Sequence, residues 1–105
     1  MLEHKERIKI ITKKIVDEFD PQKIILFGSC ARQEERAYSD IDLIVVLETD
    51  KPFVERITDF YRRLRPRFAL DLLAYTPDEF DRLIEENSFI KYALKEGVIL
   101  YAKGT

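Results

Sequence analysis

Apolar residues recur along this chain with two periods, and the switches between them mark out the elements. Ile8, Ile11, Ile15, Val16 and Phe19 share one face of a helix, which Asp20-Pro21 ends. Lys23 to Phe27 then reads as a short buried strand. Gly28 permits a tight turn, and Ser29 can cap a short helix running to about Glu35. Asp40 to Leu47 is a second strand, wholly apolar from Leu43 onward, and residues 48 to 52 form a loop. Phe53, Ile57, Phe60, Tyr61 and Leu64 mark a second amphipathic helix, and Pro66 separates it from a strand over Arg67 to Tyr75. Thr76, Pro77 and Glu79 spell a capping box with proline at the first helical position, opening a helix to about Glu86. Ser88 is placed to cap another helix and Gly97 to close it, and Val98 to Tyr101 is a last short strand. The tail Lys103 to Thr105 is expected to be loose. Helices alternating with strands predict an α/β fold, a sheet with helices packed on it.

Composition narrows the class. A chain of 105 residues predicts one domain, and 46% hydrophobic residues supply its core. A net charge of −2 gives no overall basic field, so direct nucleic-acid binding is not expected. The apolar runs are strand-sized and too short to span a membrane, and the charged first residues lack the apolar centre of a signal peptide. A single cysteine forms no internal disulfide, so a cytoplasmic setting is expected.

The chemistry concentrates between residues 28 and 42. Gly28 and Ser29 follow a buried strand, and ten residues later Asp40 and Asp42 open the next. Alternate strand residues point to one face, so the two carboxylates stand side by side and repel each other. A divalent cation makes such a pair favourable. A glycine-serine turn at a helix start is suited to phosphate. Asp71 sits in an otherwise apolar strand, where a charge is costly unless it binds metal or pairs with an arginine such as Arg67. Arg32, one turn after Ser29, has a phosphate or an acid within reach, and Ser39 reads first as a turn and cap partner. Arg62, Arg63, Arg65 and Arg67 form a basic cluster, either a solvated helix end or a contact to an acidic partner or RNA. Tyr38 is placed at the mouth of the site, and Cys30 reads as a small filler.

Gly28, Ser29, Ala31, Arg32, Ser39, Asp40, Asp42 and Leu43 together resemble the nucleotidyltransferases of the DNA polymerase beta superfamily, in particular its small branch, the minimal nucleotidyltransferases. Two residues depart from the pattern, since many relatives carry glycine at Gln33 and a bulky or basic residue at Cys30. The resemblance implies a polymerase-beta-like fold with a mixed sheet carrying Asp40, Asp42 and Asp71 on adjacent strands as catalytic residues and metal ligands. Gly28, Ser29, Arg32 and Ser39 fall in the nucleotide-binding places. Two Mg²⁺ ions and ATP are implied, with AMP transferred to a hydroxyl and pyrophosphate released.

Small relatives of this layout commonly occur as antitoxins beside a helical HEPN ribonuclease toxin, in studied cases adding AMP to a toxin tyrosine. The resemblance therefore implies a separately encoded HEPN-type partner and leaves homo- or hetero-oligomer open. Two other classes stay in view. One is a catalytically weak binding module that neutralises a toxin by complex formation. The other is an enzyme that modifies a small molecule.

Overall fold

Two apolar clusters cover opposite faces of one four-stranded sheet in the computed structural model, which describes residues 4–31 and 40–104. The elements run α1 (His4–Phe19), β1 (Lys23–Phe27), α2 (Gly28–Ala31), β2 (Ile41–Val46), α3 (Phe53–Leu64), β3 (Leu70–Tyr75), α4 (Pro77–Glu86), α5 (Ser88–Glu96) and β4 (Val98–Ala102). The sheet order is β3-β2-β1-β4. β2 runs parallel to β3, whereas β1 is antiparallel to both β2 and β4, so the sheet is mixed. Central β2 reads as an unbroken apolar run because Leu43, Ile44 and Val45 are buried on one face or the other. No helix among the described residues is long and apolar enough to cross a membrane.

One cluster joins alternate residues of the sheet, including Leu26, Leu43 and Leu72, to Ile11 and Ile15 of α1 and Phe60 and Leu64 of α3. The two helices run antiparallel: the Phe19 ring stacks on Phe60 with centroids 4.0 Å apart, and Lys14 Nζ donates to the Leu64 carbonyl at 2.7 Å. The second cluster joins Ile25, Ile44 and Val46 to Phe80 of α4 and Ile90 and Ala93 of α5.

Several local expectations need correction. The side chain of Asn87, not Ser88, caps α5 by accepting from the Ile90 amide at 3.1 Å. Gly97 closes α5 with an ordinary φ of −77°, and glycine is needed for space instead: a Cβ there would lie 2.6 Å from the Ala93 carbonyl oxygen. β3 begins at Leu70 rather than Arg67, because β2 offers it a first partner only at Ile41. Lys103 is tied down, its amide donating to Gln22 and its Nζ to Asp20, both at 2.9 Å. The capping box at Thr76 and Glu79 forms as expected.

Side chains of α3 cover the outer flank of β3. The carbonyls of Ala69 and Tyr75 accept from Ile41 and Leu47 on the inner side, so those of Leu70, Leu72 and Ala74 point outward. The Tyr61 hydroxyl donates to the Leu70 carbonyl, and the buried Arg56 guanidinium donates to that of Ala74 at 3.1 Å. Arg56 also binds the Lys51 carbonyl at 2.7 Å and Glu79 at 2.6 Å. Lys51, Arg62 and Arg63 pair with Asp59 on the same helix.

Candidate active site

Three strands bring the candidate residues to one end of the sheet. β1 ends at Phe27, opposite Asp42 in the antiparallel register, and Asp42 stands opposite Asp71 in the parallel register of β2 and β3. Asp40 precedes β2 by one residue and is in phase with Asp42. Asp42 alternates with Ile44 and Val46, and Asp71 with Leu73 and Tyr75, so both belong to the sheet face that carries α4 and α5. Phe27 meets Phe89 of α5 edge-on, ring centroids 5.9 Å apart, which walls this end with the first turn of α5.

Asp71 is exposed, contrary to the expectation of a charge held inside an apolar strand. β3 is the outer strand, and Leu70, Leu72 and Ala74 are its buried residues. Leu73 and Tyr75, on the face of Asp71, are only half-buried, so an apolar sequence concealed an alternating strand. Arg67, the alternative partner for Asp71, lines a separate cavity with Arg7 and Phe68. Asp40 is exposed and Asp42 half-buried.

Gly28 is constrained twice. Its φ of +73° lies in the left-handed region, and a Cβ at this position would overlap the Asp42 carboxylate. The turn after β1 and the second aspartate of the Asp-x-Asp pair therefore share one close-packed space. The side chains of Ser29 and Cys30, and residues 32–39 with Arg32, Tyr38 and Ser39, lie outside the described residues, as does the predicted continuation of α2 to Glu35.

Tyr61 is the residue at this end that the sequence reading placed only in the apolar stripe of α3. Its hydroxyl on the Leu70 carbonyl fixes the backbone immediately before Asp71. Burial, with the negative charges of Asp71 and Asp40 nearby, pushes the Tyr61 phenol above its ordinary range. The one available signal was a polar tip on an otherwise apolar stripe beside Phe60.

The donors here are carboxylate oxygens, the ligand type that suits Mg²⁺, which takes a few carboxylates and completes its shell with phosphate oxygens and water. The facing of Asp42 and Asp71 across two adjacent strands, with Asp40 in phase, fits that chemistry. As the side chains stand, no three His, Cys, Asp or Glu residues among the described ones are gathered closely enough to hold an ion.

The arrangement falls within residues 9–105, which match the family described as Polymerase beta, Nucleotidyltransferase. The chain belongs to that family and is by class a nucleotidyltransferase, and its mixed sheet with packed helices is the polymerase-beta-like fold. Among its relatives is MJ0604 of Methanocaldococcus jannaschii, a proposed protein adenylyltransferase. The two are 35% identical over 82 residues, covering 76% of this chain and 78% of the relative. A proposed nucleotidyltransferase of Sulfolobus solfataricus has the same fold, with a TM-score of 0.66 at 22% identity, covering 93% of this chain and 79% of the other. A toxin–antitoxin structure with AMP-PNP gives a TM-score of 0.62 at 19% identity, covering 97% and 76%.

Proposed function

We propose that this chain, a single minimal nucleotidyltransferase domain working in the cytoplasm, transfers AMP from ATP to a tyrosine hydroxyl of a separately encoded, helical HEPN-type toxin. The transfer neutralises the partner, so the chain acts as an antitoxin. The observation that carries the reading is Asp42 facing Asp71 beside the Gly28 turn. The M. jannaschii relative, a proposed protein adenylyltransferase, supports a protein acceptor, and the toxin–antitoxin structures of this fold support a toxin partner.

In this reading Asp40, Asp42 and Asp71 would hold two Mg²⁺ ions, whose chemistry is to neutralise the phosphates and make the acceptor hydroxyl more acidic. The Gly28 backbone approaches the triphosphate without an intervening Cβ, and the Ser29 hydroxyl, with Arg32 and Ser39, completes the nucleotide contacts. The acceptor oxygen attacks the α-phosphorus, its proton passing to the Asp71 carboxylate. The bond from that phosphorus to the bridging oxygen breaks, and pyrophosphate leaves with the electron pair. The exposure of Asp71 on the outer strand suits a hydroxyl that arrives on another protein.

Co-expression with the helical product of an adjacent gene, followed by size-exclusion chromatography and mass spectrometry of the partner after incubation with labelled ATP, tests the proposal. The chain should co-elute with the partner and add AMP to one of its tyrosines, and the Asp40→Asn/Asp42→Asn variant should add none. Full protection by that variant would mean neutralisation by binding. Transfer onto a free small molecule, without co-elution, would replace the protein acceptor.

A further inference from the structure

The basic cluster of residues 62 to 67 divides in two. Arg62 is held by Asp59 at 2.5 Å, and Arg63 pairs with Glu18 at 3.0 Å while lying over the Phe19 ring, 4.2 Å from its centre. Those two arginines fasten α3 to itself and to α1. Arg65 and Arg67 instead join Arg7 and Lys14 around a cavity of about 350 Å³ between α1 and the turn that leads from α3 into β3. Ile10, Leu64 and Phe68 contribute its apolar wall, and Ile10 is 52% exposed. No carboxylate lines it among the described residues, although the chain as a whole carries a net charge of −2.

We propose that this cavity docks an acidic segment of the acceptor protein. One apolar side chain of that segment seats between Ile10 and Phe68, and flanking carboxylates meet Arg7, Arg65 and Arg67. Only the identity of the occupant as the acceptor rests on the proposed function; the charge and shape argument does not. Position supports the assignment. Phe68 precedes Asp71 by three residues, about 10 Å of extended chain at most, and because the cavity lies on the α1 and α3 face of the sheet while Asp71 belongs to the α4 and α5 face, a segment held here passes round the end of β3 to reach the aspartates. A protein segment also suits the lining better than RNA. Phe68 is the one aromatic side chain lining the cavity among the described residues, and the Arg7 guanidinium lies over it 5.8 Å from its centre, so the cavity has no row of aromatic platforms for successive bases. The site is a single bounded cavity rather than a groove that follows a phosphate backbone, and the chain as a whole carries no basic excess.

The test uses the full-length chain and fluorescein-labelled probes: the peptide Glu-Glu-Phe-Glu-Glu, its Lys-Lys-Phe-Lys-Lys and Glu-Glu-Ala-Glu-Glu counterparts, and a uridine oligonucleotide. Fluorescence anisotropy should show the acidic phenylalanine peptide binding best, with affinity falling as salt is raised. Arg7→Ala/Arg67→Ala should weaken it about ten-fold. Ile10→Glu, a change at an exposed residue with circular dichroism as the folding check, should do the same. Tighter binding of the oligonucleotide, no binding of the acidic peptide, or binding indifferent to all these substitutions would overturn the proposal. None of these measurements requires ATP or transfer, so loss of the docking site and loss of the adenylylation reading are separately visible.

Discussion

Gly28 and Asp42 adjoin so closely that a methyl group on the first would overlap the carboxylate of the second. Gly28→Ala therefore meets two penalties. The left-handed backbone costs about 1–2 kcal/mol for a residue with a Cβ, and the Asp42 carboxylate has to move. We expect a lower melting temperature and a loss of transfer of about a hundred-fold, the scale at which small misplacements act. Adding Asp42→Ala should recover part of the stability and none of the activity.

The carboxylates predict a dependence on divalent cation. Asp40, Asp42 and Asp71 repel both one another and a triphosphate unless positive charge lies between them. Calorimetric titration should show weak ATP binding in EDTA and much tighter binding with Mg²⁺ or Mn²⁺. Asp42→Asn and Asp71→Asn should each abolish that difference. Equal ATP affinity with and without the cation would sink the metal-bridging account.

Tyr61→Phe removes the hydroxyl that fixes Leu70. The expected loss is about 1 kcal/mol of stability, read by urea denaturation. Because the affected carbonyl lies next to Asp71, transfer should fall several-fold with KM for ATP unchanged. A variant with wild-type transfer would show that the bond serves the strand alone.

Acid sensitivity follows from Glu79. The Arg56 guanidinium holds its carboxyl below the ordinary 4.5, so the pair contributes stability that is fully present above that pH. The contribution is lost as pH falls through the lowered value. Asp59, lowered chiefly by its hydrogen bond to Lys51, acts in the same sense. Glu79→Gln should flatten the stability curve below pH 4.5. At neutral pH it should cost about 1–2 kcal/mol, less than a fully buried pair because the Glu79 side chain is 39% exposed.

The elements were legible wherever local chemistry decides them. Lys23 to Phe27 and Pro77 to Glu86 keep their expected bounds because a buried run and a capping box are each written in a few adjacent residues. Polar burial was not legible in this way. Arg56 and Asp59 are buried in α3, while Val54 on the same helix is 74% exposed. The Arg56 partners lie as far away as Glu79, and nothing near Arg56 in the sequence announces them. At the candidate site, the facing of Asp42 and Asp71 was legible only through the family pattern, since their separation of 29 residues is set by the α3 crossover. The reason offered for Asp71, the cost of a buried charge, was mistaken because an edge strand can be apolar in sequence and still open on one face. In the split of the basic cluster, the Asp59 pairs follow from spacings of three and four residues on α3, whereas the Glu18 partner of Arg63 is revealed only by the packing of α1 against α3.

The two α3 side chains on β3 have a consequence for how this sheet meets other chains. Tyr61 and Arg56 take the outward carbonyls at either end of that strand, so an incoming strand would meet two of its three outward carbonyls already bonded. The opposite rim, β4, carries Val98 and Ile99 in the open. An added strand would therefore meet a more open rim along β4, two strands away from Asp42, than along the rim that bears Asp71.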